Sequence, residues 1–401
     1  MTGSIKLKEN LDKLIIFFIG ISVISSQISI AMSSIGVVGL IVLFIFKLII
    51  EENFSFQEKT LLYLLIFFSV WQIITSFISN DPQMAITGSL KKMSLYFVII
   101  CSIYMINNRK QILRLLVILF IFTSLLSLFE SIWYLYDFYN QTSIDLAEFR
   151  LSYFGSPITL AEIKMLILLL MVPFMLSYEK PIINRWLLAA MSLHVFLSLY
   201  FTNSRNAMLG LFAGLVIIGI IKHRYFLITC IFVVIIFFYT APYPIKARVS
   251  SIIELNHPSN KARFVMWETA IKMIKDKPIT GYGDSDILSF YKKYKIPEYH
   301  AEGSHMHNNI FHIAVLYGII GLILWLSLMI YIFFRQIKAY IKHKNDNFLN
   351  VLLLSSISCM VAFQVSGLTE WNFGDAEFIV LMWFILSFPF ITNKISGDAA
   401  K

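Results

Sequence analysis

The chain has 401 residues, of which 58% are hydrophobic and only 14% are charged, whereas a soluble domain carries about 25% charged residues. Repeated apolar runs of spanning length predict an all-α polytopic membrane protein, because each span needs about 20 residues. The net charge of +9 follows from the basic cytoplasmic connectors of such proteins, and we expect no nucleic-acid partner. Cys101, Cys230 and Cys359 all fall inside apolar runs, so they indicate neither a disulfide framework nor a zinc site.

Hydropathy predicts about twelve transmembrane helices that form a single transmembrane domain over residues 1–401. The predicted spans lie near 14–31, 35–50, 61–78, 90–106, 112–135, 158–178, 184–201, 207–221, 225–241, 309–334, 348–366 and 376–392. One set of connectors carries most of the basic residues, and the positive-inside rule places that set in the cytoplasm. Both termini are then cytoplasmic, while residues 202–206, 242–308 and 367–375 face outward.

The outward loop over residues 242–308 is the longest polar stretch of the chain. A loop of this length in an otherwise apolar protein indicates function. It contains Arg263, Trp267, Pro278, Gly281-Tyr-Gly283, His305 and His307-Asn308. We predict that it holds amphipathic helices and half of an active site at the outer membrane surface.

One amphipathic helix is predicted over residues 262–276. Its apolar face would comprise Phe264, Trp267, Ile271 and Ile274. Arg263 falls in the middle of that face and so points inward, where a cation needs an anionic partner. That partner is either a substrate anion or, in a purely structural role, Glu162 or Asp375.

Arg205 lies in the connector Thr202-Asn203-Ser204-Arg205-Asn206, just before a helix predicted from Ala207. A helix N-terminus is already positive, so an Arg there is favourable when an anion lies between the two. The alternative is an interfacial Arg whose side chain extends to the membrane surface.

His307 precedes Asn308 and Asn309, either of which can cap the helix that follows. The cap places His307 at a helix N-terminus, where the positive dipole favours the neutral imidazole that a general base needs. The alternative is an ordinary surface histidine. His305 and His307 lack acidic or cysteine neighbours at ligand spacing, so we predict no metal site there.

Gly281-Tyr-Gly283-Asp284-Ser-Asp286 follows Pro278 and predicts a sharp turn. Asp284 and Asp286 have the spacing of a carboxylate pair that could hold a divalent cation. Asp next to Gly is also common in ordinary turns. The basic residues of the loop would in addition compete with a metal ion for the negative charge of a phosphate bound there. We therefore expect metal-independent chemistry here as well.

Glu162 and Lys164 lie near the outer end of the sixth predicted span. Ionisable residues inside a membrane are either functional or paired with one another, and the sequence leaves both possibilities open. The last outward loop adds carboxylates at the same level: Glu370, Asp375 and Glu377.

Several of these motifs resemble the O-antigen ligase and polymerase superfamily of bacterial membrane glycosyltransferases. His307-Asn308 followed by Gly318-Ile-Ile-Gly321 is similar to the His-Asn signature of the ligases. The family's loop pattern resembles Arg263, Trp267, Pro278 and Gly281-Tyr-Gly283, and its Thr-x-Ser-Arg segment resembles Thr202 to Arg205. Asn206 stands where Gly is more usual. The motifs cover residues 202–321, and the acidic end from Asn372 to Glu377 is also ligase-like.

The resemblance implies a GT-C-like glycosyltransferase bundle that needs no cofactor. Its donor would be a glycan on undecaprenyl diphosphate and its acceptor the lipid A-core oligosaccharide, at the periplasmic face of the bacterial inner membrane. Arg205 and Arg263 would stabilise the diphosphate, and His307 would act as the base of an inverting transfer. The expected substrate-binding residues are Asn308, Trp267, His305, Tyr282, Glu162, Lys164 and Asp375.

Other functions remain open at the level of sequence. A polymerase of the same superfamily would extend the glycan while it is still lipid-linked. Protein O-glycosylation ligases share the motifs but usually carry more extramembrane chain. A flippase or exporter of lipid-linked sugars would place basic residues deep along a cavity, whereas here they cluster at one surface.

Overall fold

A computed structural model describes residues 2–51, 54–140, 150–177, 183–240, 254, 256–284, 287–294 and 305–396. All regular secondary structure in these ranges is helical. The helices are α1 (Thr2–Ser25), α2 (Ile30–Ile50), α3 (Lys59–Phe77), α4 (Pro82–Ser94), α5 (Tyr96–Met105), α6 (Arg109–Asn140), α7 (Pro157–Ser177), α8 (Arg185–Phe201), α9 (Arg205–Ile221), α10 (Arg224–Thr240), α11 (Pro258–Asp276), α12 (Ile287–Tyr294), α13 (Asn309–Lys342), α14 (Asn347–Ser366), α15 (Ala376–Leu386) and α16 (Phe388–Ile395).

The polytopic all-α prediction is confirmed. Within the described residues, 8 helical segments are long and apolar enough to cross a membrane, and the shorter apolar helices α8 and α9 add to them. Every predicted span falls on a helix. The spans near 90–106 and 376–392 coincide with the helix pairs α4–α5 and α15–α16.

The centre of the bundle is formed by α7, α14 and the α15–α16 pair. Their apolar windows are 89%, 83% and 89% buried within the protein, against 33% for α2, α3 and α4–α5. A helix that is apolar on all sides and also covered on all sides belongs to the interior of a bundle. The N-terminal end of α7 and the C-terminal end of α14 therefore lie at the middle of one end of the molecule.

Helix α13 is interrupted at Gly318, whose φ is +66°. The segment Pro278 to Gly283 packs into the interruption and satisfies the backbone groups that the break exposes. The bonds run from Ile319 N to the Pro278 carbonyl (2.8 Å), from Tyr282 N to the Val315 carbonyl (2.9 Å) and from Gly283 N to the Leu316 carbonyl (2.8 Å). The predicted sharp turn is confirmed, since Gly281 and Gly283 have φ values of +64° and +74°.

Helix α11 confirms the amphipathic helix of the long loop, but its buried stripe differs from the predicted one. The buried side chains are Val265, Met266, Thr269, Ala270 and Met273. Phe264 and Ile271 are each 42% exposed, so their assignment to the buried face was wrong. These side chains are buried because α11 packs against α13 on this face. Residues 242–253, 255, 285–286 and 295–304 of the predicted loop lie outside the described residues.

Candidate active site

Arg205 contacts the face of α11 from which Arg263 projects. Arg205 is the first residue of α9, and its guanidinium donates a hydrogen bond to the Ser259 hydroxyl in the first turn of α11. Ser259 lies one helical turn before Arg263, so the two positions share a face. The fold thus brings together two cations that the sequence carries on separate segments.

The Arg263 side chain reaches from α11 to the loop between α14 and α15. Its Nε donates to the Thr369 carbonyl at 3.1 Å, and its Nη1 lies 3.5 Å from Asn260 Oδ1. Burial lowers the pKa of the Arg263 guanidinium, and the charge of Glu370 opposes that shift. Arg nonetheless stays protonated in proteins. Its contacts within the described residues use Nε and Nη1, so Nη2 can donate to an anion.

Arg263 forms no ion pair with Glu162 or Asp375 in the described part of the chain. The structural alternative from the sequence, in which Arg263 pairs with Glu162 or Asp375, is therefore wrong. The carboxylate that acts on the guanidinium is that of Glu370.

Asn308 caps α13 and fixes the backbone next to His307. Its Oδ1 accepts a hydrogen bond from Phe311 N at 3.0 Å, and its Nδ2 donates to the Leu368 carbonyl at 2.8 Å. The predicted cap is confirmed at Asn308. His307 itself has a φ of +43°, a left-handed conformation that is unfavourable for a residue with a Cβ. The contacts of Asn308 hold the imidazole in place despite this.

His307 and Glu370 form a hydrogen-bonded pair. The Nδ1 atom of His307 lies 3.0 Å from Glu370 Oε2, and Glu370 is only 5% exposed. Burial raises the pKa of the Glu370 carboxyl, but the hydrogen bond and charge of His307, together with His305, more than offset this and hold the pKa below its ordinary value. An ionised carboxylate on Nδ1 fixes the tautomer that leaves Nε2 as the base.

His305 lies beside this pair. Its ring centroid is 4.2 Å from that of His307, and its Nδ1 is 3.7 Å from Glu370 Oε1. Burial, followed by the charge of His307, lowers the pKa of His305 to about 4, against the opposing effect of Glu370. His305 is therefore neutral at physiological pH.

Trp267 and Tyr282 have protein partners for their polar atoms. Trp267 Nε1 donates to the carbonyl of Met306 at 3.0 Å and so holds the segment that carries both histidines. The Tyr282 hydroxyl, in a side chain that is 2% exposed, donates to Asp276 Oδ2 at 2.9 Å. These contacts indicate that both residues position the loop, and a substrate contact for either one stays a prediction.

Glu162 is fully buried and joins the segments of the site from beneath. Its Oε1 accepts hydrogen bonds from Asn206 Nδ2 (2.8 Å), Asn372 Nδ2 (3.3 Å) and the Ser366 hydroxyl. Asn309 Nδ2 extends this network to the start of α13 through a 2.7 Å bond to Asn372 Oδ1. Asn206, which departs from the family pattern, therefore has a structural role next to Arg205.

Lys164 and Glu162 do not pair with one another. Lys164 Nζ lies 2.9 Å from Glu130 Oε2, with side chains 3% and 0% exposed. Glu130 also accepts a hydrogen bond from the Ser198 hydroxyl at 2.9 Å. This buried pair joins α6, α7 and α8, and a substrate contact for Lys164 stays a prediction.

Asp375 and Asp284 both have protein partners. Asp375 Oδ2 accepts a hydrogen bond from the Thr159 hydroxyl, which ties the last loop to the first turn of α7. Asp284 Oδ1 lies 2.7 Å from Lys92 Nζ, so a cationic side chain already occupies one oxygen of the carboxylate that the sequence offered as a metal ligand. Its predicted companion Asp286 lies outside the described residues.

Sequence reasoning named Glu370 only as one carboxylate of the last outward loop and missed its contact with His307. The two residues are on different segments, and their pairing depends on how α13 and α14 pack. A local signal was present, because Glu370 lies in a short loop that carries several other polar residues, Thr369, Asn372 and Asp375.

The fold and this site define a polytopic all-α membrane protein in which two arginines and a histidine–glutamate pair meet at one end of the bundle. The family model described as O-Antigen ligase matches residues 187–326, which include Arg205, Arg263 and His307. The predicted resemblance is thereby confirmed, and over this region the chain is similar to that family.

Similar proteins carry a related name. Proteins named "Putative polysaccharide ligase" from Rickettsia conorii, Rickettsia bellii and Rickettsia felis are 30% identical over 125 residues, 31% over 122 and 32% over 125. Each match covers 29% of this chain and 28% of the relative. The similarity thus spans little more than a quarter of the length of these relatives.

Proposed function

We propose that the protein is an O-antigen ligase, which transfers O-antigen polysaccharide from undecaprenyl diphosphate to the lipid A-core oligosaccharide. The observation that carries this proposal is the meeting of Arg205 and Arg263 on one face of α11, next to the His307–Glu370 pair. The similarity to proteins named as ligases of O-antigen and polysaccharide supports the broader assignment to glycosyl-transferring enzymes.

The two arginines suit the leaving group. When the bond between the anomeric carbon and the diphosphate oxygen breaks, the electron pair goes to the oxygen, and negative charge builds up on the diphosphate. Guanidinium groups that are already in place stabilise this charge without reorganisation. Arg also matches phosphate geometry with paired donors. Arg205 and Arg263 would therefore act mainly in the transition state.

His307 suits the acceptor. The attacking hydroxyl of the core sugar must lose its proton as the new glycosidic bond forms. Nε2 of His307 would take that proton while Glu370 holds Nδ1 and stabilises the imidazolium that results. Attack from the side opposite the diphosphate inverts the anomeric centre. We also propose that His305, whose ring lies beside that of His307, and Asp375, in the same loop as Glu370, contact the sugars.

The charge distribution supports a periplasmic location for this site in the bacterial inner membrane. The opposite end of the bundle carries a set of basic residues that includes Lys47, Arg109, Arg335, Lys342 and Lys394. Contacts such as Lys342 Nζ to Asn393 Oδ1 (2.8 Å) and Arg109 Nε to the Ile395 carbonyl (3.0 Å) bring several of them together. Basic residues favour the cytoplasmic side, so both termini would be cytoplasmic and the arginine pair periplasmic.

Reconstitution tests the proposal. The purified protein in lipid nanodiscs is incubated with an undecaprenyl-diphosphate-linked glycan and lipid A-core, and products are separated by gel and mass spectrometry. We expect glycan-capped core and one released undecaprenyl diphosphate per transfer, unchanged by a chelator. Longer lipid-linked glycan with bare core would instead identify a polymerase. Unaltered donor that has only changed leaflet would identify a flippase.

A further inference from the structure

His305, His307 and Glu370 form a cluster of metal-ligand atoms. One ligand atom from each lies within 4.8 Å of the others. Glu370 is 3.0 Å from His307 Nδ1 and 3.7 Å from His305 Nδ1. The His305 Nδ1 atom is buried and has no hydrogen-bond partner within the described residues. A metal ion would give this atom the partner that it lacks.

Two imidazoles and one carboxylate are a common donor set for Zn²⁺, which binds them at about 2.0–2.2 Å and keeps a fourth position for water or substrate. Tetrahedral ligand atoms then lie roughly 3.4 Å apart. The His307–Glu370 and His305–Glu370 distances bracket this value. Rotation of the His305 side chain, which is 30% exposed, can bring its ligand nitrogen closer to those of Glu370 and His307, which now lie within 4.8 Å of it. The site thus needs adjustment of one side chain and no movement of a helix.

We propose that these three residues bind a divalent transition metal of the Zn²⁺ class and that the bound ion reversibly inhibits glycan transfer. The inhibition rests on the proposed function, whereas the binding does not. A metal on Nδ1 of His307 displaces the proton that this nitrogen shares with Glu370, and the neutral ring then carries its one proton on Nε2. Nε2 therefore has no free lone pair with which to take the proton of the acceptor hydroxyl. Such an ion blocks the reaction without being required for it.

Binding is measured first, on the full chain in nanodiscs, by calorimetry with Zn²⁺ alone and by the visible absorption of added Co²⁺. We expect one Zn²⁺ per chain and a Co²⁺ spectrum typical of tetrahedral coordination. His305→Asn and Glu370→Gln should each weaken Zn²⁺ binding by about tenfold or more. His194→Asn, which changes a histidine on α8 outside the cluster, is the matched control and should bind as the unsubstituted protein does. Equal binding by all four proteins would overturn the site.

Inhibition is measured separately, with each protein compared with its own metal-free rate. The Zn²⁺ concentration for half-inhibition should rise by about tenfold or more in His305→Asn, in parallel with the loss of binding. The same half-inhibition in both proteins would show that Zn²⁺ acts elsewhere and would overturn the inhibitory role. If Zn²⁺ binds but no transfer occurs either with or without metal, the proposed function fails while the metal site stands.

Discussion

The Nδ1 atom of His307 and the Oε2 atom of Glu370 lie 3.0 Å apart, although 63 positions separate the residues in the chain. The bond joins the start of α13 to the loop that follows α14. It gives the imidazole a fixed orientation and a buried negative charge on the side away from Nε2.

Replacing His307 by Ala should nearly abolish transfer. General base catalysis contributes about 100- to 10,000-fold to a rate, so kcat should fall by that range while the protein still inserts. The rate is measured with purified protein in nanodiscs, with His194→Asn as the control. Full activity in His307→Ala would make the base assignment wrong.

Glu370→Gln keeps the shape of the side chain and removes its charge. We expect kcat to fall by about 100-fold, because the imidazolium loses its stabilising carboxylate. Glu268→Gln, on the exposed side of α11 where Glu268 pairs with Lys272 at 3.2 Å, should leave the rate unchanged. In a double-mutant cycle, Glu370→Gln should cost almost nothing further once His307 is Ala. Additive losses would separate Glu370 from the histidine.

Arg263→Lys retains the charge but removes the planar set of donors. We expect a loss of about 100-fold in kcat/KM, since an ammonium cannot hold the Thr369 carbonyl and a phosphate in the same geometry. Lys261→Arg, an exposed exchange of the same two residue types on the same helix, serves as the control. Transfer at the normal rate by Arg263→Lys would remove Arg263 from the site.

Gly318→Ala should destabilise the protein strongly. A Cβ at Gly318 would lie 2.0 Å from the Ile279 carbonyl oxygen, and φ is +66°. The free energy of unfolding should fall by about 3 kcal/mol or more, with a clear decrease in Tm. Gly155→Ala is the control, because its nearest neighbours would be 4.0 Å away. An unchanged Tm in Gly318→Ala would contradict the fit of the loop into α13.

The histidine segment should become less stable as the pH falls. The pKa of His305 is lowered from 6.5 to about 4, so between these values the unfolded chain binds more protons than the folded one. Stability is therefore full above pH 6.5 and is lost as the pH falls from 6.5 towards 4. The protection factors of the amides around Met306, which correct for the intrinsic exchange rate at each pH, should fall over this interval in the unsubstituted protein and change less in His305→Asn. An equal change in both would assign the effect to other groups.

The fold was largely predictable from the sequence because hydropathy and capping are local properties. The spans, the Asn308 cap and the sharp turn at Gly281 and Gly283 all follow from residues that are neighbours in the chain. The contact between Arg205 and Ser259 and the network around Glu162 depend on which helices pack together, and no local pattern encodes that. The buried stripe of α11 was mispredicted for the same reason. Packing against α13 buries Val265, Met266, Thr269, Ala270 and Met273 and leaves Phe264 and Ile271 exposed.

The insertion of residues 278–283 into the break of α13 sets an order of assembly. Gly318 lies about 14 Å along the helix from Asn309, at a depth where lipid offers no hydrogen-bond partners. The broken turn is therefore not stable in the bilayer until residues 278–283 pack against it. Those residues in turn form their backbone hydrogen bonds with α13. During biogenesis the arginine of the long loop can reach its final place only after the tenth predicted span has entered the membrane. A chain halted before that step would carry Arg205, Arg263 and His307 but would lack Glu370, and would be inactive.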